Sequence, residues 1–131
     1  TVGVVDERSE IGACFQGIPQ NDVGLRTDIL DCCPKAAGMM MLIRSMAPDV
    51  VAVDEIGGDP DLEALRCVMN CGCRILATVH GTSMEDIRNK PGFCRFLEED
   101  IFERYVILGN KAGPGTVLDI CDGRGRSLLC G

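Results

Sequence analysis

The stretch Val50-Val51-Ala52-Val53-Asp54-Glu55-Ile56, VVAVDEI, decides how the rest of the chain is read. Its apolar, largely β-branched run fits a strand buried on both faces of a parallel sheet, and two carboxylates stand directly at its tip. In open parallel sheets functional groups gather just beyond the carboxyl ends of the strands, because those ends open into one crevice. The segment therefore matches a Walker B element. Magnesium keeps several waters, so Asp54 would hold the hydrated ion from outside while substrate phosphates supply inner ligands. Glu55 would orient and partly deprotonate the attacking water. A buried strand ending in an ordinary acidic helix cap gives the same pattern, so the neighbouring strand ends matter.

Two of them carry polar groups as well. The apolar start Thr1 to Val5 reads as a buried strand that empties into Asp6 and Glu7, and Arg74 to Val79 reads as a strand around Thr78 with His80 and Gly81 at its exit. A sensor of the terminal phosphate would use Thr78 or His80 as a hydrogen-bond donor. Taken singly, each has a plainer reading: Asp6 to Glu10 as a solvated charge run, His80 as a surface loop histidine.

Between these strands, Ala36 to Ala47 predicts a helix that is apolar on most of its surface and is stopped by Pro48. Asp61 to Cys71 predicts a second, its acidic start suiting the positive end of the helix dipole. Gly12 to Leu30, with turn signals at Gly17, Pro19, Asn21 and Gly24, reads as one long irregular excursion. Further on, Thr82 or Ser83 caps a helix interrupted by Pro91 and Gly92, and Phe93 to Phe102 suggests another short helix. Arg104 to Leu108, Thr116 to Cys121 and Ser127 to Cys130 read as strands separated by turns at Asn110 to Gly115 and Asp122 to Gly125. The alternation predicts an α/β fold: a mainly parallel sheet flanked by helices, with antiparallel hairpins at one edge. A fully buried first strand needs flanking structure on both faces, so residues 1–131 are read as a single partial ATPase domain that starts inside its fold.

Composition limits the alternatives. The 131 residues are 46% hydrophobic and 25% charged, enough apolar surface for one core. A formal charge of -7 has the wrong sign for a protein that binds phosphate backbones, so no nucleic acid is expected as a partner. No apolar run is long enough to cross a bilayer and no signal peptide opens the chain, so a cytoplasmic location is expected. Nine cysteines include no C-x-x-C pair; Cys67, Cys71 and Cys73 form the tightest group. A metal- or redox-sensing role ranks below their use as small apolar core residues in a reducing compartment.

A charge-balancing guanidinium for nucleotide hydrolysis can come from a neighbouring subunit, and Arg26, in a loop, has the reach for it. Arg44, inside an apolar helix, reads instead as a snorkelling side chain or a partner of Asp49 or Asp54. A phosphate loop is missing: it needs exposed glycine N–H groups and a Lys followed by Ser or Thr, and Lys35, Lys90 and Lys111 are not so followed. Asn110 to Gly115 is glycine-rich but reads as a hairpin turn.

The string from Val2 to Gly58, together with Ala77-Thr78-Val79-His80-Gly81 and Ile101 to Leu108, resembles the stage III sporulation protein AA family of endospore-forming bacteria. That family is similar to the hexameric RecA-like ATPases of type II and type IV secretion. The resemblance implies a RecA-like P-loop NTPase core, with Asp6 and Glu7 as the acidic box, Asp54 and Glu55 as Walker B and His80 as the histidine box. It leaves open whether Glu55 or Glu7 is the main water-activating carboxylate. It implies ATP and Mg2+ as cofactors, a homo-oligomer, and partners among the membrane proteins of the channel between mother cell and forespore. The implied location is the mother-cell cytoplasm, peripheral to that complex. The rival reading is a non-hydrolysing structural module of the same assembly.

Overall fold

The computed structural model describes residues 1–129, which form two compact units, Thr1–His80 and the segment from Gly81 onward. In the first unit the order is β1 (Val2–Asp6), β2 (Thr27–Asp31), α1 (Lys35–Met46), β3 (Val50–Val53), α2 (Asp59–Asn70) and β4 (Arg74–Ala77). The four strands are parallel and lie in the order β2-β1-β3-β4. Val2 pairs with both Thr27 and Val50, and Val50 with Arg74, so the strands start level and their carboxyl ends emerge side by side.

The helix α1 rests almost directly on β1, because glycines face each other's layers. A Cβ on Gly3 would come within 2.9 Å of Leu42 Cδ1, and one on Gly38 within 2.5 Å of Val5 Cγ1. Met39 and Leu42 of α1, Leu65 and Val68 of α2, and Val5 and Val51 of the sheet are fully buried and form the core. Ala47, in the left-handed region at φ 42°, ends α1, and Pro48 follows where the helix cannot continue. In α2, Pro60 occupies the first turn and Leu62, Leu65 and Val68 recur at helical spacing on the buried face.

Two sequence expectations change here. The excursion after Gly12 ends earlier than expected, because Thr27–Asp31 is an edge strand paired to β1. Its composition, Thr-Asp-Ile-Leu-Asp, hides it: aspartate is depleted in strands, and none of its residues is fully buried. The cysteines mostly do not serve the core, since among the eight described only Cys121 is buried, while Cys32 and Cys71 are exposed.

The second unit contains α3 (Met84–Asn89), α4 (Cys94–Glu98), β5 (Arg104–Gly109) and β6 (Thr116–Asp122). The Ser83 hydroxyl caps α3 by accepting from the Asp86 N–H at 3.2 Å. Phe93, Phe96, Phe102 and Tyr105 form a chain of ring contacts with centroids 5.7–6.2 Å apart. The expected antiparallel strands are present, but β5 and β6 form their own two-stranded sheet instead of closing an edge of the parallel one. Of the strand expected over Ser127 to Cys130, Ser127 makes an isolated bridge to Cys121, and Cys130 lies outside the described residues. Among the described residues no helix is long and apolar enough to cross a membrane.

Candidate functional site

The level ends of β1, β3 and β4 bring Glu7, Asp54, Glu55, Thr78 and His80 to one end of the sheet. Asp54 follows the last residue of β3 and is 8% exposed, and neither of its carboxylate oxygens has a hydrogen-bond partner. Burial raises its pKa above the ordinary carboxylate value; Lys35 opposes the rise, and Asp6 and Glu7 add to it.

Lys35 opens α1. Its ammonium binds the Glu7 carboxylate and lies 3.9 Å from Asp54 Oδ1. Burial alone would lower the lysine pKa, but the Glu7 hydrogen bond and the charges of Glu7 and Asp54 outweigh it and leave it raised. Sequence reasoning missed this residue in the site. The available signal was a lysine directly after Pro34, at the head of a helix otherwise charged only at Arg44.

Glu55 is held differently. Its backbone N–H donates to Thr78 Oγ1 at 2.9 Å and the next N–H, of Ile56, donates to the Thr78 carbonyl at 2.8 Å, so β4 fixes the loop leaving β3. Thr78 thus acts as an acceptor toward Glu55, and its own hydroxyl proton remains to be donated. The Glu55 side chain meets Arg8 Nη2 at 2.8 Å and His80 Nε2 at 3.6 Å.

Asp6, fully buried, points into its own loop: Oδ1 accepts from the Glu10 N–H at 2.9 Å, and Oδ2 from Ile11 and Gly12 at 3.0 and 2.8 Å. The run Asp6 to Glu10 is therefore a turn ordered around a buried Asp6, with Arg8 and Glu10 exposed on it. The turn carries Arg8, whose guanidinium also meets Glu10 at 3.2 Å. Arg26 is not brought to this cluster. It precedes β2 at the opposite end of the sheet, near enough to Asp49 to lower its pKa slightly, after the larger effect of the Thr1 amino group. Arg44 is exposed, as a snorkelling side chain would be; of the two acids weighed as its partners, Asp54 faces Lys35 and Asp49 meets the Thr1 amino group.

No group of three or more His, Cys, Asp or Glu that could hold a metal ion occurs among the described residues. Asp54 fits another arrangement: a buried carboxylate with two unused oxygens suits a hydrated magnesium ion whose inner ligands are water and phosphate. Asp6, Glu7, Glu10, Asp54 and Glu55 against Lys35 and Arg8 leave this end of the sheet strongly acidic. A polyphosphate can approach such a surface only with a compensating cation.

The profile of the family described as "Sporulation stage III, protein AA" matches residues 1–128. The chain is 48% identical over 126 residues to Stage III sporulation protein AA of Bacillus subtilis (strain 168), covering 96% of this chain and 41% of that protein. It thus spans about two fifths of the length of the curated relative. No solved structure matches. By that profile over residues 1–128 and that identity, the chain belongs to the stage III sporulation protein AA family.

Proposed function

We propose that this chain is the part of a RecA-like ATPase that follows its phosphate loop, working in sporulation to drive assembly or transport at the channel between mother cell and forespore. The observation that carries the proposal is Asp54, a nine-tenths buried carboxylate with both oxygens unused at the tip of a central parallel strand. Burying such a group without hydrogen bonds costs stability, and sites that bind or react are where that cost is retained.

In this reading Asp54 orients the waters of a magnesium ion, which when bound neutralises phosphate charge. Glu55 positions the attacking water. Of the two glutamates it is the better placed, because Glu7 is tied to the nearly buried Lys35 while Glu55 is held by the half-exposed Arg8 and can exchange that partner. Thr78, which follows β4 and fixes the Glu55 backbone, has its hydroxyl proton to offer a terminal phosphate, and His80 stands beside Glu55 as the second sensor candidate. Asp6 shapes the acidic turn from within. Phosphate-cradling N–H groups and a phosphate-loop lysine come from elsewhere in the longer polypeptide. The secretion-ATPase likeness adds a hexamer, with Arg26 facing a neighbouring subunit, membrane proteins of the channel as partners, and a place in the mother-cell cytoplasm.

The test is ATP turnover by the full-length protein and by its Glu55→Gln variant. The variant is expected to bind nucleotide and not to turn it over. Undiminished hydrolysis removes the role of Glu55, and a wild-type protein without turnover supports the non-hydrolysing structural module.

A further inference from the structure

Resting on that ATPase reading, we infer that Arg8 is a catalytic residue, the guanidinium that this chain itself supplies to the transferred phosphoryl group. The inference starts from position. Among the described residues, Lys35 and Arg8 are the lysine and the arginine paired with the strand-end carboxylates. Lys35 is nearly buried between Glu7 and Asp54 and committed there. Arg8 is 54% exposed, and its pairing to Glu55 and Glu10 uses one nitrogen, Nη2, for both contacts. Nε and Nη1 remain as donors, and a guanidinium binds phosphate oxygens through just such a pair of nitrogens.

The support beneath Arg8 is built. Asp6 takes three backbone N–H groups of the same turn, two of them on one oxygen, so the chain on either side of Arg8 is anchored to a buried carboxylate. A flexible tip on a rigid base is what a charge-stabilising arginine requires, since ordering the loop at the moment of reaction would cost entropy. Its resting partner matters too. With Arg8 on Glu55, the carboxylate that handles water is neutralised; when the guanidinium leaves for a phosphoryl oxygen, the carboxylate is freed. The same movement supplies positive charge to phosphate and releases the base, so water activation is coupled to an occupied site.

The test uses the full-length protein with ADP plus aluminium fluoride as a mimic of the transferring phosphoryl group, and ADP alone as control. Arg8→Ala is expected to lower kcat for ATP by about 10³-fold, with KM and ADP affinity little changed. In a Glu55→Gln background, where water is no longer activated, Arg8→Ala is still expected to weaken retention of ADP–aluminium fluoride by about 100-fold. Arg8→Lys, which keeps the charge and the pairing but not the fork, is expected to fold as wild type and to recover little of kcat. Loss of kcat without loss of retention in the Glu55→Gln background overturns the inference, because Arg8 then acts only through Glu55. Unchanged kcat in both Arg8 variants overturns it as well. If the wild-type protein neither hydrolyses ATP nor retains ADP–aluminium fluoride, the ATPase reading itself falls.

Discussion

Lys35 Nζ stands 3.9 Å from Asp54 Oδ1 while bound to Glu7, so one largely buried ammonium serves carboxylates from two neighbouring strands. The arrangement explains how the sheet tolerates a buried, un-hydrogen-bonded Asp54 next to further acids. Replacing Lys35 by Met keeps the stem and removes the charge. The deficit should be roughly 1–3 kcal/mol at neutral pH, between the values for exposed and fully buried pairs. Its pH dependence has a definite sign. Lys35 lowers the Asp54 pKa, so the variant's carboxyl rises further above the ordinary value. A raised folded-state carboxyl pKa means the protonated form is favoured by folding, so the deficit shrinks as pH falls through the raised pKa of Asp54. Urea unfolding of wild type and Lys35→Met at pH 7 and pH 3.5 checks this; equal stability at pH 7 removes Lys35 from the account.

Gly38 and Val5 make a separate prediction about how the site is carried. The 2.5 Å approach of a Gly38 Cβ to Val5 Cγ1 leaves no room for a methyl group where α1 crosses β1. Although alanine is the better helix former by about 1 kcal/mol, overpacking should outweigh that gain. Gly38→Ala should be net destabilising by about 1–2 kcal/mol in urea unfolding. It should also displace Lys35, three residues earlier on the same helix. A stabilised variant would show that α1 can lift off the sheet freely.

How far the site could be read from the residues differs from one to the next. The strand at Val50 to Val53 and its acidic tip were legible because the run is purely apolar and then abruptly charged. The strand Thr27–Asp31 was not, since an edge position lets polar side chains sit where a central strand would need valine. The proximity of Asp54, Glu55 and His80 followed from the expectation of parallel strands alone. The partners of those acids did not. Lys35 and Arg8 reach them only through pairings 19 and 47 positions apart, 54 − 35 and 55 − 8, and no local pattern encodes a contact over that separation. The buried orientation of Asp6 was hidden for a related reason: three successive donors fold back on it within a turn whose composition reads as solvated.

In the second unit, Tyr105 offers a pH test independent of the site. Burial, assisted by the charge of Asp100, pushes its phenol up to about 12, and the hydroxyl has no hydrogen-bond partner. A raised folded-state pKa for this acid means its contribution to stability is complete below pH 10 and is lost as pH rises from 10 to about 12. Ultraviolet titration of the single tyrosine should therefore give a midpoint near 12 in the folded protein and near 10 in urea. Tyr105→Phe should be neutral or slightly stabilising at pH 7, because it removes an unpaired buried polar group. A midpoint near 10 in the folded chain would place the ring in solvent.

Asp6→Ala addresses the base on which Arg8 stands. The substitution removes the acceptor of the Glu10, Ile11 and Gly12 N–H groups, of which the bond to Gly12 is buried. Leaving such donors without an acceptor costs about 1–3 kcal/mol for a buried one and less for those that water can reach. The expected loss is roughly 2–4 kcal/mol. Asp6→Asn keeps the shape and one carbonyl oxygen, so it should recover part of the loss. Hydrogen exchange distinguishes a local from a global effect: the amides of residues 10–12 should lose protection in Asp6→Ala while those of Val51 and Val53, in the centre of the sheet, keep most of theirs. If the turn amides stay protected, Asp6 does not organise the turn. Its burial would then reflect a role toward ligand, and Arg8 would need another support.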